Sequence, residues 1–279
     1  MEPDKIQKAS ERGFSMRIIL TVGHSILKSG NCTSADGRAY GGILEYAYNK
    51  TIVERIAAYL RSVGHTVDVL VCPELRFGKS TDEKNYKISR VNNGGYDMVA
   101  ELHLNASKFH NSQGCEVLYV TPAGQEIALR IQQQLATVFN DRGIQHRSNL
   151  YMLTQTKPVS VMIEIFFCDN PADCRIAEKH DVALLIAQGI HGHAIQPNAN
   201  GQGVGFMYRV QTGAFAVKAN AESLMKQLKD RGFSAFVTSV DLGQIIYRVQ
   251  IGAFTVKANA EKLRENLHTA GFDAVIVIT

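Results

Sequence analysis

Met98-Val-Ala-Glu-Leu-His-Leu-Asn105 is the stretch on which the reading of the chain turns. Val99, Leu102 and Leu104 give it strand propensity, and His103 and Asn105 fall at its downstream end, where open α/β sheets place their chemistry. Two other stretches are built the same way. Met16-Arg-Ile-Ile-Leu-Thr-Val-Gly-His24 and Val159-Ser-Val-Met-Ile-Glu164 are apolar runs that end in an ionisable residue. As neighbouring parallel strands, the three would bring those ends together at one edge of a sheet.

Between these strands the pattern alternates. A Gly-rich polar loop, 23–42, precedes a helix from about Ile43 to Ser62, with Glu45 in its first turn and Gly64 as its stop. A strand is expected over 66–71, a polar helix from a good cap at Asp82 to Asn93, and a strand over 115–121. A helix is expected over 125–142 with Gly143 just past its end, then a central strand over 160–167. Asn170-Pro171 opens a last pair of helices, broken near His180. Strands alternating with helices predict an α/β domain whose mainly parallel sheet is flanked by helices.

Beyond a Gly- and Asn-rich linker over 196–205 the chain repeats itself. Tyr208-Arg-Val-Gln-Thr-Gly-Ala-Phe recurs as Tyr247-Arg-Val-Gln-Ile-Gly-Ala-Phe, and Asn-Ala-Glu222 recurs as Asn-Ala-Glu261. Each repeat reads strand, helix, strand, and one such unit cannot bury its own face. Two together predict a small α+β domain over 206–279 of ferredoxin-like β-α-β-β-α-β layout. Ala221, Leu224, Leu228 and their counterparts Ala260, Leu263, Leu267 would line the inner faces of its helices.

The chain has 279 residues, 45% of them hydrophobic and 20% charged, which suits one large globular domain and a small one. No apolar run reaches the ~18 residues of a bilayer-spanning helix, so membrane insertion is not expected. Residues 206–279 carry nine Lys and Arg against six Asp and Glu, too small an excess for a nucleic-acid-binding signature. Residues 1–15 are polar, read as a disordered extension that need not be native, and lack the apolar core of a secretory signal. The large domain is expected over 16–195. The five cysteines include no C-x-x-C pair and read as free thiols.

His24, Glu45 and His103 supply two histidines and one carboxylate, the donor set of a catalytic zinc that keeps a fourth position for water. Such a metal lowers the pKa of its water to about 7 and polarises a carbonyl, while a separate carboxylate moves the proton. Glu164 is the candidate for that proton transfer, with Glu101 and Glu54 as rivals. Their sequence separation also allows a plainer reading, in which the histidines are structural and Glu164 is salt-bridged.

At these residues the chain resembles a known family. The Ile18–Gly23 strand with His24, Gly42-x-x-Glu45, Leu102-His-Leu-Asn105 and Val161-Met-Ile-Glu-x-Phe-Phe-Cys-Asp-Asn170 together resemble the zinc-dependent N-acetylmuramoyl-L-alanine amidases of the amidase-3 family. The resemblance implies one zinc ion on His24, Glu45 and His103, with Glu164 as the catalytic carboxylate. It also implies hydrolysis of the amide between the muramic acid lactyl group and L-alanine. The chain departs from the family pattern at Ser25-Ile26, at Phe166, and at Glu101, where a small residue is usual two places before the second His.

The C-terminal repeats resemble the SPOR domain, which implies binding of peptidoglycan glycan strands across its sheet. Arg209, Gln211, Arg248 and Gln250 are the candidate glycan contacts, with Asn105 a candidate substrate contact in the large domain. The expected protein is a phage or prophage endolysin, made in the host cytoplasm and acting on the wall after release. Two alternatives are a zinc peptidase cutting the stem or cross-bridge, and a non-catalytic wall-binding protein. The sequence carries no expectation about oligomeric state.

Overall fold

The apolar runs of the first two thirds of the chain pair into one six-stranded sheet. Its strands are β1 (Arg17–Val22), β2 (Thr66–Leu70), β3 (Met98–Asn105), β4 (Cys115–Tyr119), β5 (Asp141–His146) and β6 (Val159–Phe167), in the spatial order β2-β1-β3-β6-β4-β5. β2, β1, β3 and β6 are mutually parallel, whereas β4 runs antiparallel to β6 and carries β5 parallel beside it. The sheet is thus mainly parallel, and the three strands that carry His24, His103 and Glu164 are neighbours. The computed structural model describes residues 15–196, 208–241, 245–254 and 257–278. Residues 1–14 and all of the expected linker except Gln196 lie outside the described residues. Contacts divide the chain into one unit over 1–195 and another over 196–279.

Helices cover both faces of this sheet. They are α1 (Glu45–Ser62), α2 (Ser80–Asn93), α3 (Pro122–Leu135), α4 (Tyr151–Thr154), α5 (Pro171–Lys179) and α6 (Val182–His191). Val91 of α2 and Met152 and Leu153 of α4 pack with Ile19, Val99 and Met162 of the sheet in one apolar cluster. Strand residues alternate, so Ile18, Leu20 and Leu102, all fully buried, point the other way, towards α1. α1 packs on α6 and α6 on α3. Asp181 fixes the first of these contacts: it caps α6 by accepting from Leu184 N at 3.1 Å, and takes Arg55 Nη2 at 2.9 Å and Tyr59 Oη at 2.6 Å from α1.

Three local expectations are corrected. The helix expected over 125–142 stops at Leu135, and Asp141–His146 is the edge strand β5. The Asp141 carboxylate accepts from Gly143 N at 2.8 Å and Gln132 Nε2 at 2.5 Å, and Gly143 takes φ +76°, so the chain turns out of the helix to pair with β4. The second helix begins at Ser80 rather than Asp82, after Lys79, which makes no side-chain cap. Finally, Glu164 lies inside β6, which matches the strand expected over 160–167, and not at the end of a run that stops there. All five cysteines are free, with Cys72, Cys115, Cys168 and Cys174 buried.

The second unit has β7 (Tyr208–Phe215), α7 (Lys218–Asp230), β8 (Phe236–Asp241), β9 (Ile245–Phe254), α8 (Lys257–Thr269) and β10 (Val275–Ile278). Its sheet is antiparallel in the order β10-β7-β9-β8, the ferredoxin-like arrangement expected of the two repeats. Ala221, Leu228, Ala260 and Leu267 are buried against Val210 and Val249, with Leu224 and Leu263 packed beside them.

Gly189 of α6 gives a very close helix contact in the first unit. A Cβ there would lie 2.5 Å from Ile131 Cα of α3. Gly189→Ala should therefore push two helices apart and lower stability by about 1–3 kcal/mol, read as a shifted midpoint in denaturant unfolding. An unchanged midpoint would show that α3 and α6 can move without cost.

A candidate metal centre at the edge of the sheet

His24, Glu45 and His103 converge at the C-terminal ends of β1 and β3, with ligand atoms all within 4.8 Å of one another. Each arrives by a different local device. His24 is two residues past β1, where Gly23 N donates to Leu102 O at 2.9 Å, and takes φ +67°. That left-handed backbone costs a residue with a Cβ on the order of 1–3 kcal/mol, a strain found mostly at functional sites. Gly23 itself lies flat on the His103 ring: a Cβ there would be 2.3 Å from its Cε1.

Glu45 begins α1, and the preceding loop delivers it. Gly37 and Gly42 press on the end of β6 so closely that a Cβ on either would be about 2 Å from the Cys168 carbonyl oxygen, which accepts from Ile43 N at 2.9 Å. The Glu45 carboxylate is then held from two sides. Oε2 accepts from Ala35 N at 2.9 Å and Oε1 from Leu104 N at 3.0 Å. Its outward sides meet His103 Nδ1 at 3.0 Å and His24 Nε2 at 3.3 Å. One turn along α1, buried Asn49 donates to Leu102 O at 3.2 Å and fixes the helix to β3.

Burial works against ionisation of Glu45, but its bonds to His103 and His24 outweigh it and hold the carboxyl far below the usual range. Burial likewise opposes a charge on His103, yet Glu101 and Glu45 together lift its pKa to about 10. Two imidazoles thus face one buried carboxylate. That donor set, two imidazole nitrogens and one carboxylate oxygen, fits a metal ion that keeps an open position.

Glu164 faces the cluster from β6, directly opposite His103 in the β3–β6 register. Glu116 of β4 lies opposite Glu164 on the other side and accepts from Asn105 Nδ2 at 2.6 Å. Sequence reasoning missed Glu116, although the alternation of the 115–119 strand sets it, with Leu118, on the face opposite Cys115 and Val117. It also missed Lys87, which is fully buried and ion-paired with Glu101. Glu83, Lys87 and Val91 form the buried stripe of α2 at four-residue spacing, and that charged stripe was the available signal. Of the rival carboxylates, Glu101 is thus engaged by Lys87, and Glu54 lies within 3.7 Å of Arg61 in an exposed pair.

Residues 18–196 match the family model described as N-acetylmuramoyl-L-alanine amidase, well over half of the chain. The chain belongs to that family. Residues 205–278 match the SPOR domain model. The amidase is 27% identical over 202 residues to the sporulation-specific N-acetylmuramoyl-L-alanine amidase of Bacillus subtilis, covering 69% of this chain and 76% of that protein. It is 32% identical over 175 residues to the N-acetylmuramoyl-L-alanine amidase CwlM of Bacillus licheniformis, covering 58% and 64% respectively. Among solved structures, the catalytic domain of the CD27L endolysin targeting Clostridia difficile matches with a TM-score of 0.62 at 49% identity, over 65% of this chain and 99% of that one. The CwlD amidase of Clostridioides difficile, solved with the GerS lipoprotein, shares the fold with a TM-score of 0.54 at 22% identity, over 64% and 98%.

In the second unit of the amidase, Gln211 and Gln250 are opposite one another across β7 and β9, and both are buried. Arg209 Nη1 donates to Gln250 Oε1 at 3.2 Å. Arg248 pairs with Ala214 across the same strands and is partly exposed.

Glu164 retains some exposure but lies deep among protein atoms. That burial, with Glu45, Glu116 and Glu101 nearby, raises its pKa from 4.5 to about 7 against the opposing pull of His103. A raised carboxyl pKa disfavours the ionised form in the folded state, so stability is lost as pH rises from 4.5 through about 7. In the chelator-treated amidase, Glu164→Gln should therefore be more stable than the parent by on the order of 1–3 kcal/mol at pH ~8, with the gain fading by pH ~4. Urea unfolding of both chains at the two pH values checks this; a difference independent of pH would refute it.

Proposed function

We propose that this amidase is a zinc-dependent endolysin that cuts the bond between N-acetylmuramic acid and L-alanine. The observation that carries the reading is the convergence of His24, Glu45 and His103 on one point with Glu164 beside it. The endolysin assignment is supported by the 49% identity to an endolysin catalytic domain. On this reading the chain is made in a host cytoplasm and meets the wall after release. The SPOR unit would hold the enzyme on glycan strands, with Arg209 and Arg248 as the contacts in reach of sugar hydroxyls and Gln211 and Gln250 backing them from within the sheet.

Zinc held by His24, Glu45 and His103 would supply Lewis acidity at the lactyl carbonyl and a more acidic water. The protein's own groups do the rest. Glu164, facing the cluster from β6 opposite His103, accepts the proton of the attacking water and passes it to the alanine nitrogen as the C–N bond breaks. Asn105, tied to Glu116, stands two residues beyond His103 on the same strand and can orient the substrate amide.

Purified peptidoglycan incubated with the amidase should release new N-terminal alanine and no reducing sugar ends. A chelator should abolish the release and zinc restore it, and Glu164→Gln should lower the rate by about 10²–10⁴-fold while the fold is kept. New amino termini elsewhere in the stem or cross-bridge would make it a peptidase instead. Wall binding without any bond cleaved would leave only the binding function.

A further inference from the structure

Glu101 and Lys87 form a buried pair directly behind the proposed metal ligand His103. Both side chains are 1% exposed, and Lys87 Nζ contacts Glu101 Oε1. Glu101 and His103 are two apart on β3, so their side chains share one face of the strand. The second carboxylate oxygen, Oε2, is buried with no hydrogen bond formed among the described residues, and it lies 3.4 Å from His103 Nε2. The opposite nitrogen, Nδ1, faces Glu45 and the candidate metal position.

We propose that Glu101, held by Lys87, is a positioning residue that keeps the proton of His103 on Nε2 and leaves the Nδ1 lone pair for the metal. The inference rests on the zinc reading above. A neutral imidazole carries one proton on one of two nitrogens, and the partner of the distal nitrogen selects which. A carboxylate oxygen aimed at Nε2 selects that one. The ring has little freedom to answer otherwise, because Gly23 packs flat against it with no room for a Cβ.

Stability alone does not account for the pair. Replacing a buried ion pair with apolar groups of similar size is often neutral or stabilising, because desolvation offsets the attraction. Lys87 also has a second task here. Placed within 3.5 Å of the Val22 carbonyl oxygen and 5.6 Å from the Tyr151 ring centre, its ammonium occupies Glu101 Oε1 in an ion pair. An anion two residues from a ligand is thereby kept from becoming a ligand itself.

The test uses the full chain and zinc alone. Zinc affinity is measured by competition with a chromophoric chelator for the parent and for the double variant Lys87→Met/Glu101→Leu, whose unfolding is followed separately. The double variant should fold with a similar melting temperature and bind zinc about 10–100-fold more weakly. Nitrogen-15 NMR of the zinc-loaded parent should find the His103 proton on Nε2. Native affinity in the folded double variant, or a proton on Nδ1 in the parent, would overturn the proposal; if the double variant does not fold, the NMR result decides. A parent that binds no zinc would instead remove the zinc reading, and this inference with it.

Discussion

The Glu45 carboxylate holds the site together. It is buried, takes two backbone N–H donors from separate parts of the chain, and turns what remains of its oxygens to two histidines. Ala35 belongs to the loop after β1 and Leu104 to β3, so the carboxylate ties loop, helix and sheet together at one point. Removing it would leave two donors and two imidazoles without their shared acceptor, and an unsatisfied buried donor carries its full desolvation cost. The parallel order of β1, β3 and β6 brings the strand ends close, but only Glu45 makes one site of them.

That site is surrounded by features that work against stability. His24 has a left-handed backbone, and Glu164 faces Glu116 across an antiparallel pair, a repulsive arrangement when both are charged. Glu101 and Lys87 are taken fully out of water. The apolar packing of helices on both faces of the sheet supplies the stability that allows them, as in Ile56, Leu60, Ile131 and Ile186, all 2% exposed or less. Strain and buried charge gathered at one sheet edge, with ordinary packing elsewhere, mark that edge as the working part of the molecule.

The two units solve different problems. The first buries a mainly parallel sheet on both faces and uses the strand ends for chemistry. The second covers one face of a four-stranded antiparallel sheet with two helices, and the other face carries Gln211 and Gln250 with exposed Val275 and Phe236 in register beside them. Its Gln211–Gln250 pair is buried within that face, so the arginines are left as the more accessible polar part of the repeated Tyr-Arg-Val-Gln signature.

The alternation of strands and helices, the internal repeat, and the four residues His24, Glu45, His103 and Glu164 were legible in the amino-acid order, because apolar periodicity and polar strand ends are local patterns written in consecutive residues. Glu45 fell in the first turn of its helix for the same reason. The departure of Asp141–His146 from the helical pattern was not legible, since pairing with β4, a partner more than twenty residues away, outweighs local propensity. Nor were the seating of Lys87 behind Glu101 and of Glu116 beside Glu164. Those contacts join residues 14 and 48 positions apart in sequence, and the distance between their side chains is set by the order of the strands and the seating of α2, which no local pattern records.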